Sequence, residues 1–326
     1  MPQPLCLVRG SINIDEFFHV PNVVQPGETL SSTFFERRAG GKGANQSSAV
    51  SRAGGRVVLV GAVGQDGGDN LKALESAGVD VSRVVVSDKE ATGRAIIQLT
   101  PEGENCIILY KGANFLRSPS LLNTAADLSY THLLLQNEVP FESTLAYLSH
   151  ARTIGATAVW NPSPMPRPEE LKSVPWNSLD WLLVNEGEVN GLLNALARPG
   201  HQATAAQADE PSAETRVREL HEHSNFSRSV GIVCTLGAKG VFALLPGTAD
   251  PEVVRLPAAR LDGPVRDTTG AGDCFTGYFV AGLMQYPEDV KRALRRAVEA
   301  SGLCVQRRGA IESIPRVEEV EARLTS

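Results

Sequence analysis

Short runs of apolar residues alternate along this chain with segments in which apolar residues recur at helical spacing. That pattern predicts a mainly parallel sheet with helices on both faces, a three-layer α/β/α fold. Residues 5–8, 57–63, 132–135, 157–160, 181–184 and 232–235 read as buried strands. Between them, 44–53, 70–77, 141–154 and 186–197 read as helices. Toward the C-terminus the helical segments become consecutive, at 273–285, 288–305 and 317–324.

Two stretches break the alternation. Residues 12–38 carry turn signals at Pro21-Asn22 and Pro26-Gly27 and a strand-like Thr33-Phe34-Phe35. Residues 92–111 read as two strands joined by the turn TPEGE. Together they predict a small β-sheet lid over the strand ends of the main sheet, with an edge extension of that sheet as the alternative. Residues 198–214 are rich in Ala, Gln and Pro and read as a surface loop. With no internal repeat and no long linker, residues 1–326 are expected to form one domain.

Composition narrows the class. Of 326 residues, 42% are hydrophobic and 21% charged, as in a globular protein, and the formal net charge is −6. No long basic run appears, which argues against a nucleic-acid binder. No apolar run approaches the ~20 residues of a membrane span. The opening MPQPLCLVRG lacks the charged region and apolar stretch of a signal peptide. Cys6, Cys106, Cys234, Cys274 and Cys304 are far apart in sequence, and most have apolar or β-branched neighbours. They read as mostly buried free thiols of a reducing compartment, which makes the cytoplasm the expected location and leaves the nucleus open.

The stretch Asp267-Thr-Thr-Gly-Ala-Gly-Asp273 precedes an apolar helix with Phe275, Phe279 and Leu283 at intervals of four. Glycines at 270 and 272 let the backbone approach a ligand, and the amides at the helix start form an anion site. Asp273 at that start is either a helix cap or the carboxylate that takes a proton from an attacking hydroxyl in phosphoryl transfer. The stretch Arg38-Ala-Gly-Gly-Lys-Gly-Ala-Asn-Gln46 is neither a Walker loop nor a dinucleotide fingerprint. Its glycines serve a tight turn, or they leave room for a polyol beside Lys42 and Asn45. In Gly10-Ser-Ile-Asn-Ile-Asp15, Asn13 and Asp15 point the same way in extended chain, where they suit adjacent hydroxyls or form an Asx turn. Glu138 follows another strand. Asn185 and Glu188 fall at a strand-to-helix turn, where oxygen ligands suit hydrated Mg²⁺, while Glu186 and Glu188 also read as ordinary first-turn helix acids.

In this order, Gly-Ser-Ile-Asn-x-Asp, Gly-Gly-Lys-Gly-Ala-Asn-Gln, Asn-Glu-x-Glu, Thr-Leu-Gly-x-x-Gly and Asp-Thr-x-x-Ala-Gly-Asp resemble the carbohydrate kinases of the ribokinase family, from about residue 5 to 315. The resemblance implies a ribokinase-like fold and ATP-dependent phosphorylation of the 5-hydroxyl of D-ribose. It makes Asp273 the base and Gly270, Ala271 and Gly272 the anion hole. Asn13, Asp15, Gly41, Lys42, Asn45 and Glu138 match positions that bind the sugar. Asn185 and Glu188 match the motif tied to Mg²⁺ and phosphate, and Thr235, Gly237 and Gly240 match the loop beside the nucleotide. Asp267, Thr269, Cys304, Arg307, Gly309 and Ser313 match a K⁺ site built mostly from backbone carbonyls. The implied partners are ribose, ATP, Mg²⁺, K⁺ and a second copy of the chain, paired through the lid, with strand 95–99 as candidate interface. Ala297 stands where the family often has a polar residue near the adenine.

Three other readings compete. A kinase for a nucleoside or another sugar such as fructose would keep the same machinery, and Phe17, Phe18 and Phe34 leave room for base stacking. A non-catalytic sugar sensor would have a broken base or anion hole, and both are whole here. A nicotinamide-dependent oxidoreductase is disfavoured by the missing glycine fingerprint.

Overall fold

The predicted apolar runs become neighbours in one sheet. The computed structural model describes residues 3–118, 121, 127–197, 211–247 and 251–325. Its strands are β1 (Cys6–Arg9), β2 (Asn13–His19), β3 (Phe34–Gly40), β4 (Val57–Gly64), β5 (Asp80–Ser87), β6 (Gly93–Leu99) and β7 (Asn105–Tyr110). They continue as β8 (His132–Leu135), β9 (Thr157–Trp160), β10 (Trp181–Asn185), β11 (Gly231–Thr235), β12 (Val241–Leu244) and β13 (Val253–Leu256). The helices that matter below are α1 (Lys42–Arg52), α2 (Gly68–Ser76), α3 (Phe141–Ile154), α4 (Pro168–Leu171), α5 (Glu186–Leu196), α6 (Ala213–Glu222), α7 (Ala271–Gln285), α8 (Val290–Cys304) and α9 (Val317–Leu324).

The main sheet has the order β13-β12-β11-β10-β9-β8-β1-β4-β5. It is parallel from β5 to β11, and β12 and β13 close one edge antiparallel. Side chains alternate between two cores. Cys6, Val8 and Leu134 belong to the face covered by α1, α7 and α8, while Leu7, Leu133 and Leu135 belong to the face covered by α3, α5 and α6. Burial on both faces is why these strands read as continuous apolar runs.

Helix α7 is buried from Asp273 to Met284, wedged between the sheet, α1 and α8. A Cβ on Gly277 would lie 2.4 Å from the Cβ of Ala49, so only glycine allows α1 this close. That packing holds the start of α7 in place. Three strands and two helices were not legible from the pattern, one of the helices being the four-residue α4. β5 is a half-exposed edge strand, β12 and β13 are four residues each, and α6 buries only Val217, Leu220 and His221. α6 starts inside the stretch read as a surface loop, with Ser212 capping its N-terminus by accepting from Thr215 N at 3.2 Å. Residues 198–210 of that stretch lie outside the described residues.

The two stretches that broke the alternation form a second sheet of order β3-β2-β6-β7. β2 pairs antiparallel with β3 and parallel with β6, and β6 pairs antiparallel with β7. No described strand is shared with the main sheet, which overturns the edge-extension alternative and leaves the separate lid. Cys6, Cys234, Cys274 and Cys304 are buried, and Cys106 is exposed on β7. Among the described residues, no helix is long and apolar enough to cross a membrane.

Candidate active site

Gly270, with φ of 74°, turns the chain in a left-handed conformation at the start of α7. A Cβ on Gly272 would meet nothing within 4 Å, so the first turn of the helix opens onto free space. The N-terminal amides of a 15-residue helix face this opening, where a negative group is favoured. Asp273 does not cap its own helix, which removes the plainer of its two readings. Its Oδ2 instead accepts from Asn45 Nδ2 at 2.9 Å and its Oδ1 from Gln46 Nε2 at 2.8 Å.

Gln46 is itself held. Its Oε1 accepts from Gln136 Nε2 at 2.7 Å, and its Nε2 also donates to Asn161 Oδ1 at 3.1 Å. Asn161 in turn donates to Leu183 O at 3.0 Å. The carboxylate of Asp273 is thus oriented by an amide chain that reaches β8 and β9 from α1. Sequence reasoning named Asn45 and missed Gln46, Gln136 and Asn161. Gln46 was on the page as the end of GGKGANQ, but which amide meets which carboxylate is set by the crossing of α1 and α7. Asn45 Oδ1 is buried with no partner within the protein, an acceptor left for a bound hydroxyl.

The lid supplies the next residues. Asn13 and Asp15 lie on β2 two residues apart, both buried, so the Asx-turn alternative does not hold. Asn13 Oδ1 accepts from Asn114 Nδ2 at 2.7 Å, and Asn114 also bonds both backbone groups of Ile12. Asp15 pairs across the ladder with Arg38. Burial, and then Glu138, Asp273 and Glu312, push its carboxyl up to about 7 against the opposing pull of Arg38. Glu138 Oε2 accepts from Ser11 Oγ at 2.5 Å and from Lys42 N at 3.0 Å, which pins the start of α1 to the end of β1. A Cβ on Gly43 would lie 2.5 Å from Ser11 N, so this contact also requires glycine. Burial works against the Lys42 ammonium, but Asp273, Glu138 and Glu188 outweigh it and hold the group above its ordinary value.

Two cavities meet here and a third lies to one side. One of about 240 Å³ is lined by Lys42, Asn185, Glu188, Gly270, Gly272 and Asp273. One of about 440 Å³ adjoins it through Thr235, Thr268, Gly272 and Phe275 and includes Gly237 and Gly240. The largest, about 530 Å³, begins at Asn13 and Glu138 and runs outward beneath Tyr110 and Phe115, beside the chemistry rather than over it. Asn185 and Glu188 cap α5 reciprocally, through Glu188 N to Asn185 Oδ1 and Asn185 N to Glu188 Oε2, each at 2.9 Å. Glu186 and Glu188 are thus first-turn acids of α5, and Asn185 and Glu188 also line the smallest of the three cavities. Among the described residues, no group of three or more His, Cys, Asp or Glu could hold a metal alone. This donor set suits a hydrated Mg²⁺ that arrives with phosphate oxygens.

The residues matched to a K⁺ site also converge. Asp267 accepts from Thr269 N at 2.9 Å and from Gly309 N at 3.0 Å, joining the loop before α7 to the loop after α8. Cys304 Sγ lies 3.0 Å from Ser313 Oγ. The side chain of Arg307 turns away to an ion pair with Glu319, so only its backbone remains for such a site. Two expectations are corrected. Ala297 is fully buried in the core and does not line the 440 Å³ cavity; its neighbour Val298 does. On strand 95–99, Ala95 and Ile97 are buried and Ile96, Gln98 and Leu99 half-buried, and the lid's exposed large apolar residues are Phe34, Phe35, Ile107, Ile108, Leu109 and Tyr110 on β3 and β7.

Comparison with known proteins agrees with this geometry. The model of the pfkB family carbohydrate kinases matches residues 3–317. A ribokinase of Staphylococcus aureus (strain COL) is 32% identical over 324 residues, covering 96% of this chain and 97% of the relative. The structure of a ribokinase from Cryptococcus neoformans var. grubii serotype A in complex with ADP aligns with a TM-score of 0.87 at 50% identity, over 98% of this chain and 100% of that one. An Arabidopsis thaliana ribokinase complexed with ribose and ATP aligns with a TM-score of 0.82 at 28% identity, over the whole of both chains. With the family model spanning nearly the whole chain, this protein belongs to the pfkB family of carbohydrate kinases.

Proposed function

We propose that this chain is an ATP-dependent ribokinase that transfers a phosphoryl group to the 5-hydroxyl of D-ribose. The observation that carries the reading is Asp273, a carboxylate oriented by Asn45 and Gln46 at the mouth of a glycine-lined helix N-terminus. The sugar lies between the lid and α1, its hydroxyls met by Asn13, Asp15, Asn45 and Glu138 along the turn at Gly41. Asp273 takes the proton of the attacking hydroxyl. The amides of Gly270, Ala271 and Gly272 stabilise the charge that builds on the transferring group, and Lys42 adds a fixed positive charge beside it. ATP occupies the two adjoining cavities, with its phosphates near Asn185, Thr235 and Gly272 and its base beyond Gly237 and Gly240.

Mg²⁺ would be held near Asn185 and Glu188 and would neutralise phosphate charge. K⁺ would lie between the loops at Asp267, Thr269, Cys304, Arg307, Gly309 and Ser313, where Asp267 already ties the loops together. The apolar lid face at Phe34, Phe35 and Ile107–Leu109 suits a second copy of the chain, which would make a homodimer. Residues 1–326 then act as one unit, with the lid formed by 12–38 and 92–111. Four buried free thiols fit a reducing, cytoplasmic location.

The test is ADP release with Mg²⁺-ATP and D-ribose, fructose or adenosine, with and without K⁺. Ribose-dependent release stimulated by K⁺ is expected. Turnover with another acceptor alone would reassign the sugar pocket, and ribose binding without turnover would favour a sensor.

A further inference from the structure

The 440 Å³ cavity beside the anion hole has an unusual lining for a pocket that receives a heteroaromatic base. Its two threonines, Thr235 and Thr268, are shared with the smaller cavity and so mark its phosphate end. Beyond them the walls are Ala258, Ala259, Leu261, Val265, Val298 and Val305. Among the described residues, no charged, amide or imidazole side chain lines it. Ser301 supplies the remaining hydroxyl, and that hydroxyl donates to Val298 O at 2.9 Å within its own helix. The turn at Gly237–Gly240 is likewise engaged with itself, since Lys239 N donates to Leu236 O at 3.1 Å and Gly240 N to Gly237 O at 3.0 Å.

We propose that this pocket grips the purine by apolar contact and shape without reading its hydrogen-bonding edge, so that GTP and ITP serve as phosphoryl donors alongside ATP. The proposal rests on the reading of this cavity as the nucleotide pocket. Adenine presents an amino donor and a ring-nitrogen acceptor where guanine and hypoxanthine present a carbonyl acceptor and an N–H donor. A site separates them strongly only if a wrong base leaves buried polar groups of the protein unpaired. Here the side chains hold no such group to strand. An apolar pocket that accepts one of two near-isosteres discriminates by about 100-fold at most, whereas a pocket built on hydrogen bonds reaches ~10⁴ or more. The transferring phosphate, the ribose and the base stacking area are common to all three donors, so the anion hole and Asp273 meet the same geometry each time.

The experiment uses the full chain with Mg²⁺ and saturating D-ribose and measures sugar phosphate formed, a readout independent of the nucleotide. kcat/KM is compared for ATP, GTP and ITP. Values for GTP and ITP within about tenfold of ATP are expected, and Ser301→Ala should change the ATP-to-GTP ratio by less than about twofold. GTP or ITP more than about 100-fold below ATP would overturn the proposal and assign base reading to backbone groups around residues 258–261. A Ser301→Ala ratio shift of about tenfold or more would overturn it in favour of that hydroxyl. Failure of all three donors, ATP included, would instead overturn the kinase reading itself.

Discussion

The central sheet and the lid sheet are built from the same kinds of residue and end in opposite states. Every residue of β4 in the main sheet is buried, and its neighbours on both sides are parallel strands with helices above and below. Every residue of β7 in the lid is exposed, among them Ile107, Ile108 and Leu109, each with more than half of its surface in solvent. The base, its amide chain and the anion hole all stand on the first. Asn13 and Asp15 stand on the second. The difference separates two jobs. The group proposed to move a proton, Asp273, is fixed in a packed interior, where a small displacement is costly. Of the groups proposed to meet the sugar, Asn13 and Asp15 ride on a sheet whose β7 is exposed along its length, while Asn45 and Glu138 belong to the packed interior side.

Four substitutions sharpen or break that division, in order of falling effect. Asp273→Asn keeps the size and removes the base, so kcat should fall by about 10³-fold with ribose binding and the melting temperature little changed. Steady-state kinetics with calorimetry would check it, and near-normal turnover would refute the role of Asp273. Gln46→Leu leaves the base but removes the amide that aims it. kcat should drop by about 10- to 100-fold with a smaller change in KM, and stability should fall by about 1–3 kcal/mol because Gln136 loses its partner.

Asp15→Asn acts on the lid side and should raise the ribose KM by about tenfold while kcat falls less. Its effect on stability has the opposite sign. The folded-state carboxyl is raised from 3.8 to about 7, so folding takes up a proton between these values and the wild-type chain loses stability as pH climbs through that window. Removing the charge should flatten the pH dependence of the melting temperature between about pH 4 and 7 and stabilise the chain above it. An unchanged profile would mean that Asp15 is not the buried acid described. Ile108→Lys should have the smallest effect on the fold, within about 0.5 kcal/mol, because the side chain is exposed. Its readout is association: light scattering should show a dimer become a monomer, and an unaltered mass would remove this face as the interface.

Much of this architecture was legible in the order of residues. Runs buried on both faces announce a parallel sheet because successive positions are apolar on both sides, broken only at a strand end by Arg9 in β1, His132 in β8 and Asn185 in β10. The GGKGANQ and DTTGAGD stretches were legible through their joint resemblance to the ribokinase family, since taken singly their glycines also suit a tight turn and Asp273 a helix cap. The edge strands β5 and β13 and the short β12 beside the latter were not, since a half-exposed strand or one of only four residues carries too little pattern.

What only the tertiary structure decided is how residues far apart in sequence meet. Local sequence placed Asp273 at the start of a helix and left open whether it caps that helix or serves a ligand. The packing of α7 against α1, through Gly277 and Ala49, brings Asn45 and Gln46 to the carboxylate and resolves the choice. The packing of α8 against α7 buries Ala297 and leaves Val298 to line the 440 Å³ cavity, one residue from the expected position. Each residue of a helix points about 100° from the last, so a register known to within one position cannot say which side chain faces a site. Residue types and spacing determined which chemistry the chain carries. Only the contacts between helices and sheets, set by packing across the whole fold, determined which atoms perform it.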